Sequence, residues 1–182
     1  MLVKDVIILA CEFTENNDLA KSLSNNNLDE DQSLIVDSLV KCFNLVNNEI
    51  CSEYMPLIKQ EKVQMQDFKC HYSQLSNKVL DIISVVDRRR NKVKFKCFDN
   101  YFIAFANEVY VKYTYVSQDS HLEDEIFTTI PERVYAYGVA REFYFMQTLF
   151  DEADVWEERF KNSLSILTRK KNEIIMPRRR WI

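Results

Sequence analysis

A single glycine, Gly138, and three prolines serve a chain of 182 residues. Glycine is the residue that enters left-handed backbone without steric cost. Without it, tight glycine turns and glycine-rich phosphate loops are both excluded. Turns must then be built by Asp and Asn, whose short side chains bond their own backbone. Hydrophobic residues are 47% of the chain and aromatics 13%, which is far too apolar for disorder. The length suits one domain with a real core, or a domain plus extensions.

The remaining bulk properties remove whole classes of function. With a net charge of −4, the molecule as a whole does not seek nucleic acid. The five cysteines, at 11, 42, 51, 70 and 97, form no Cys-x-x-Cys pair and lie near no histidine at zinc-finger spacing. They read as buried, reduced thiols acting as small hydrophobes in a reducing cytoplasm, so neither zinc nor a disulfide framework is expected. The opening "MLVKDVIILACEF" carries Lys4, Asp5 and Glu12 and has no signal-peptide cleavage pattern. No apolar run approaches the ~20 residues that cross a bilayer, and no membrane contact is expected.

Hydrophobic periodicity divides the chain into zones. Val3, Ile7 and Ala10 predict a short helix over 3–12, with a strand as the alternative over Val6–Leu9. An Asn-rich connector follows, holding a turn of helix around Asp18–Leu23. Ile35, Leu39, Cys42, Val46, Ile50, Tyr54 and Leu57 then recur in steps of three and four, predicting a long helix over 32–58. Asp29 and Gln32 form a capping box at its start, and Pro56 marks its end. Over 61–116 the period changes from 3.6 to 2, predicting an antiparallel β-insertion with turns at Asp87–Asn91 and Ala106–Glu108. In "VKFKCF", Val93, Phe95 and Cys97 face one way and Lys94 and Lys96 the other.

The strongest pattern comes last. Val139, Phe143, Met146, Phe150, Ala153, Trp156, Phe160, Leu164 and Leu167 predict one continuous helix over 131–170. Pro131 suits its first turn, and Arg169, Lys170 and Lys171 suit its negative end. Tyr144, Phe145, Leu149 and Val155 lie off that stripe. A helix apolar on more than one face is either central in its domain or meets a neighbouring subunit. Tyr144, Phe145 and Leu149 are accordingly candidate subunit-interface residues.

No catalytic constellation assembles from these residues. His71 and His121 read as surface or pocket-lining side chains, and no serine, cysteine or lysine has an activating neighbour. Glu152, Asp154, Glu157 and Glu158 read as a solvated helix face, supported by a Glu157–Lys161 pair. Enzymatic activity and cofactors are not expected. Arg88, Arg89 and Arg90 read as an exposed loop that meets DNA or a protein partner. With the second triple, Arg178–Arg180, they support only weak, non-specific nucleic-acid contact.

The chain closes on "NEIIMPRRRWI", residues 172–182, where a free tail would ordinarily be small and polar. This ending, with "PERVYAYGVAREFYFMQTLFDEADVWEERFKNSLSIL" before it, resembles the C-terminal helix and tail of head-to-tail adaptor (connector) proteins of tailed bacteriophages. The shared features are Ala136, Gly138 and Ala140 at the helix start, then Glu152, Ala153, Trp156, Arg159 and Phe160, then a basic-aromatic tail. The resemblance is firmest over 131–182 and covers only the order of elements over 1–60. The Asp87–Asn91 turn departs from the pattern in lacking a glycine.

The resemblance implies an α+β fold: a short N-terminal helix, two long helices, an inserted antiparallel sheet and an extended tail. It implies one adaptor domain over 1–171 and a portal-anchoring tail over 172–182. It further implies a homo-oligomeric ring, usually of twelve copies, made in the host cytoplasm and carried in the virion neck. There the ring docks under the portal protein, extends the DNA channel without sequence-specific contact, and offers a platform to a downstream tail or stopper protein. Portal contact would fall to Ile174, Ile175, Met176, Pro177, Arg178, Arg179, Arg180, Trp181 and Ile182. The alternative function is a free cytoplasmic nucleic-acid-binding module using the arginine hairpin and the tail.

Burying Trp181 would remove roughly 200 Å², about 5 kcal/mol gross at ~25 cal/mol per Å². Ordering eleven residues costs at least about 1 kcal/mol each, so one tail alone gains little. Many tails on a ring would bind firmly together.

Overall fold

The computed structural model describes residues 1–171 and is a mixed α+β chain. It divides into two compact units, one built from 1–47 and 119–171 and the other from 48–118. The second is thus inserted into the sequence of the first. No helix among the described residues is long and apolar enough to cross a membrane.

The α unit holds helices α1 (Val3–Phe13), α2 (Asn17–Ser24), α3 (Glu30–Glu49), α4 (Glu132–Met146) and α5 (Phe150–Lys171). The expected capping box forms at the start of α3. The Gln32 N–H donates to Asp29 Oδ1 at 2.7 Å, and the Asp29 N–H reaches Gln32 Oε1 at 3.4 Å. The connector before α4 is also tied down: Val3 and Lys4 of α1 donate backbone N–H groups to the carbonyls of Asp124 and Leu122, both at 3.0 Å. Ser120 is clasped by the side chain of Asn44, which accepts from its N–H at 2.8 Å and donates to its carbonyl at 3.0 Å.

Gly138 lies where α3, α4 and α5 meet. A Cβ placed there would come within 2.6 and 2.9 Å of the two Val46 methyls and 3.1 Å of the Phe160 ring. The chain's one glycine therefore serves close approach of helices, not a turn. Beside it, Arg141 is buried over the Phe160 ring, its guanidinium carbon 4.9 Å from the ring centroid, and bonds Glu142 and Glu157, each at 2.6 Å. Glu157 is shared between Arg141 and Lys161. The expected Glu157–Lys161 pair is present, but Glu157 is a half-buried anchor and not part of a solvated face. Burial raises its pKa, and the bonds from Lys161 and Arg141 outweigh that and hold it below the usual range.

Two expected helices are shorter than their periodicity implied. The 32–58 helix ends at Glu49, passes through one π-helical turn, Ile50–Tyr54, and gives way to strand from Leu57. Periodicity alone cannot separate a helix end from a strand start when both are apolar. The 131–170 helix is broken at Gln147, Thr148 and Leu149. Thr148 has φ 61°, with its N–H bonded to the Phe145 carbonyl and the Leu149 N–H bonded to that of Tyr144. This is a Schellman cap with threonine at the position glycine ordinarily takes, so no glycine or proline announced the break.

The β unit contains β1 (Leu57–Gln64), β2 (Lys69–His71), β3 (Val79–Asp87), β4 (Phe95–Cys97), β5 (Tyr101–Ala104) and β6 (Glu108–Tyr115). They form two antiparallel three-stranded sheets, in orders β1-β6-β3 and β2-β5-β4, where one sheet was expected. The three- and four-residue strands pair with one another and the eight- and nine-residue strands with one another. Their inner faces share a core containing Cys70, Val85, Phe102, Val109, Val111 and Tyr113. At its edge Glu61 pairs with Lys59 at 2.8 Å and accepts from Ser76. Burial raises the Glu61 pKa, but those bonds prevail and hold it down to about 2.

Four cysteines are buried as expected, but Cys97 is exposed on β4, a three-residue edge strand. Burial raises the Cys42 thiol to about 12, and those of Cys11 and Cys70 to about 11.

Replacing Gly138 by alanine should test the three-helix contact. Better helix propensity would contribute about 1 kcal/mol, while overpacking against stiff Val46 costs about 1–3 kcal/mol. A net loss in a urea melt is expected. In a Val46→Ala background the same change should become neutral or stabilising, and an unchanged penalty there would show the contact to be relaxed elsewhere.

Candidate functional site

Two surfaces gather the residues singled out by sequence. One is the elbow between α4 and α5. Its exposed apolar residues are Phe145 at 37%, Met146 at 57%, Leu149 at 41% and Phe150 at 58% relative exposure. Tyr144 is half-buried beside them. Phe145 and Phe150 pack ring against ring, centroids 6.2 Å apart, across the break. The three expected interface residues thus come together, and Met146 and Phe150, expected in the core stripe, join them. The Schellman turn is the reason: it swings the chain, so the stripe of α4 does not continue into α5. Met146 still touches the core through its sulfur, 3.3 Å from Cys42 Sγ.

The second surface is the Asp87–Asn91 hairpin between β3 and β4. Asp87 Oδ1 accepts from the N–H groups of Arg89 and Asn91, each at 2.8 Å, and its Oδ2 accepts from the Asn91 amide at 3.1 Å. These bonds hold the Asp87 carboxyl below its ordinary pKa. Asp and Asn do build the turn, but the left-handed residue is Arg90, with φ 65°. The Arg90 N–H is also bonded to the Asp87 carbonyl, at 3.0 Å.

Arg88, Arg89 and Arg90 are all exposed, as are Lys92, Lys94 and Lys96 after them. Arg88 approaches Glu108 at 3.9 Å, and Glu108 is also paired with Lys62 at 3.0 Å. Beside the hairpin is an open groove of about 660 Å³, lined by the amides of Gln64, Asn91 and Asn107, by Arg88 and Arg89, by Met65, and by the carboxylates of Asp87 and Glu108.

The remaining expected positions are quickly placed. His71 is exposed on β2 against Tyr101, centroids 5.7 Å apart, and His121 is exposed in the connector. Among the described residues no group of three or more His, Cys, Asp or Glu side chains could hold a metal ion. The tail assigned to portal contact, Ile174 to Ile182, lies outside the described residues. Sequence reasoning missed Phe68 and Phe105, whose exposed rings pair 5.7 Å apart at 48° in neighbouring loops. The signal was present in "MQDFKC": an aromatic directly after Asp in a two-residue turn has no core to enter.

No family model and no curated protein matches this chain.

The triple change Arg88→Ser, Arg89→Ser, Arg90→Gly should not lower the melting temperature. Exposed charges contribute little, and glycine at the Arg90 position relieves left-handed strain worth about 1 kcal/mol. A marked loss of stability in a thermal scan would mean that these arginines hold the hairpin together.

Proposed function

We propose that this chain is a virion structural protein, a head-to-tail adaptor that assembles as a ring, of about twelve copies on the family pattern, between portal and tail. The observation that carries this reading is the elbow. Four large apolar side chains, Phe145, Met146, Leu149 and Phe150, stand exposed at one helix break. Their neighbour Thr148 holds a backbone conformation that costs a β-branched residue about 1–2 kcal/mol. Exposed apolar clusters on a small protein mark association surfaces, and a head-to-tail contact whose rotation closes gives a ring. The order of elements adds support: short helix, long helix, β-insertion, helical C-terminal part and basic-aromatic tail. In this reading the protein performs no chemistry. It extends the DNA channel and offers its distal face to a tail or stopper protein.

Sedimentation of the purified protein, alone and with portal rings, tests the assembly. The double change Phe145→Asp, Phe150→Asp should give a folded monomer with unchanged far-ultraviolet circular dichroism and no ring. If the wild-type chain stays monomeric both alone and on portal rings, the ring is wrong. If the variant unfolds, the two rings are core and the elbow is not the interface.

The tail is tested separately. Deleting 176–182 should leave folding intact and abolish portal binding, because Arg178–Arg180 would supply bidentate pairs to portal carboxylates and Trp181 an apolar anchor. A deleted chain that still sediments with portal rings removes the tail from the interface.

A further inference from the structure

Strand register brings three loops to one end of the β unit. Gln64 pairs with Glu108 and Asp87 with Val109. The loops 65–68, 88–91 and 105–107 therefore lie together, opposite the end where Leu57 and Val79 flank Tyr115. The Met65 N–H bonds the Asn107 carbonyl at 2.9 Å, and the Ala104 N–H bonds the Phe68 carbonyl at 3.0 Å, which ties two of these loops directly. The end carries Arg88, Arg89, Arg90 and Lys69, all exposed, and the rings of Phe68 and Phe105, exposed by 44% and 78%.

We infer that this end of the β unit binds single-stranded nucleic acid, with its arginines on phosphates and with Phe68 and Phe105 stacking on unpaired bases. The proposal goes beyond the ring and does not rest on it, since every residue involved belongs to one chain.

Four observations support it. The local charge is positive although the chain carries −4 overall. Of the nearby carboxylates, Asp87 is engaged by the turn's N–H groups and Glu108 by Lys62, while Asp67 in the 65–68 loop is exposed. The groove beside the hairpin is lined by amides, guanidinium groups and the carboxylates of Asp87 and Glu108, with Met65 its one apolar side chain. It is a poor socket for a hydrophobic protein anchor and a suitable one for base edges, which present donors and acceptors together. The aromatic rings project instead of lining a cup. Exposed rings beside a cationic track are how single strands are held without sequence preference, and a duplex hides the base faces they need.

Phe68 is also placed by strain. Asp67 and Phe68 have φ 50° and 61° in a two-residue hairpin closed by both Gln66–Lys69 bonds, at 3.0 and 2.9 Å. That turn prefers Asn-Gly, and phenylalanine there directs an apolar ring outward at a conformational cost.

The test uses fluorescence anisotropy with the full chain, and with its Phe145→Asp, Phe150→Asp form to remove any dependence on assembly. The probes are a labelled oligo(dT), a duplex of equal length, and an oligoglutamate of similar charge. Binding of oligo(dT) should weaken with salt along a log–log slope near −2 to −3, at about 0.7 per phosphate. The Phe68→Gly, Phe105→Ser form, in which glycine suits the turn and keeps it folded, should bind about tenfold or more weakly at every salt. The Arg88→Ser, Arg89→Ser, Arg90→Gly form should flatten the slope by about 2. Absence of oligo(dT) binding at low salt overturns the proposal. So does binding that both variants leave unchanged, which would lie elsewhere on the chain. Equal affinity for the duplex overturns base stacking, and preference for oligoglutamate would mark the end as a surface for an acidic protein.

Discussion

The α unit depends on a space too small for one methyl group. At Gly138, α4 passes so close to Val46 and Phe160 that any Cβ would lie 2.6 Å from the nearer valine methyl. That approach allows Arg141, one turn along, to lie against Phe160 with its charge divided between Glu142 and Glu157. A buried guanidinium is tolerable when its charge is paired, and leaving it unpaired would cost several kcal/mol. Close packing and buried charge therefore support each other at one helix crossing. The sole glycine is kept where no other residue fits, and the turns do without.

Doing without has a visible consequence. Glu15, Asn26, Asp67, Phe68, Arg90 and Thr148 all adopt positive φ. Asn and Asp tolerate this region through local hydrogen bonds. Glu15, Phe68, Arg90 and Thr148 have no such excuse, and each costs of order 1 kcal/mol or more. Three of these four set the two candidate surfaces: Thr148 makes the elbow, and Phe68 and Arg90 shape the loops at the end of the β unit, while Glu15 closes the turn between α1 and α2. Strain has collected where side chains are presented outward, and none of it lies in the core.

This distribution explains what could be read from the sequence. Asp29 and Gln32 announced the start of α3 because a capping box is local, and both of its bonds are present. The period-2 segments located the β-insertion because one face of each long strand is buried, as alternation along β1 and β6 shows. What stayed hidden was long-range or conformationally unusual. The break at Thr148 was invisible because threonine is no common cap, and the apolar series Phe143, Met146, Phe150 continues across it in register. The division into two sheets depends on partner choice among short strands, which local pattern does not encode. Gly138 was legible as an oddity of composition, but its reason, the valine facing it from α3, lies 92 positions away in the chain.

The residues of the two proposed activities belong to separate compact units. This matters for their strength. A single β-unit end offers three arginines and a lysine, and each phosphate it neutralises is worth less as salt rises. Alone it would hold a strand only weakly at physiological ionic strength. Several such ends acting on one strand would hold it at high effective concentration through contacts that are individually transient. Under this reading the chain's overall negative charge limits non-specific adhesion while leaving one local, salt-sensitive grip.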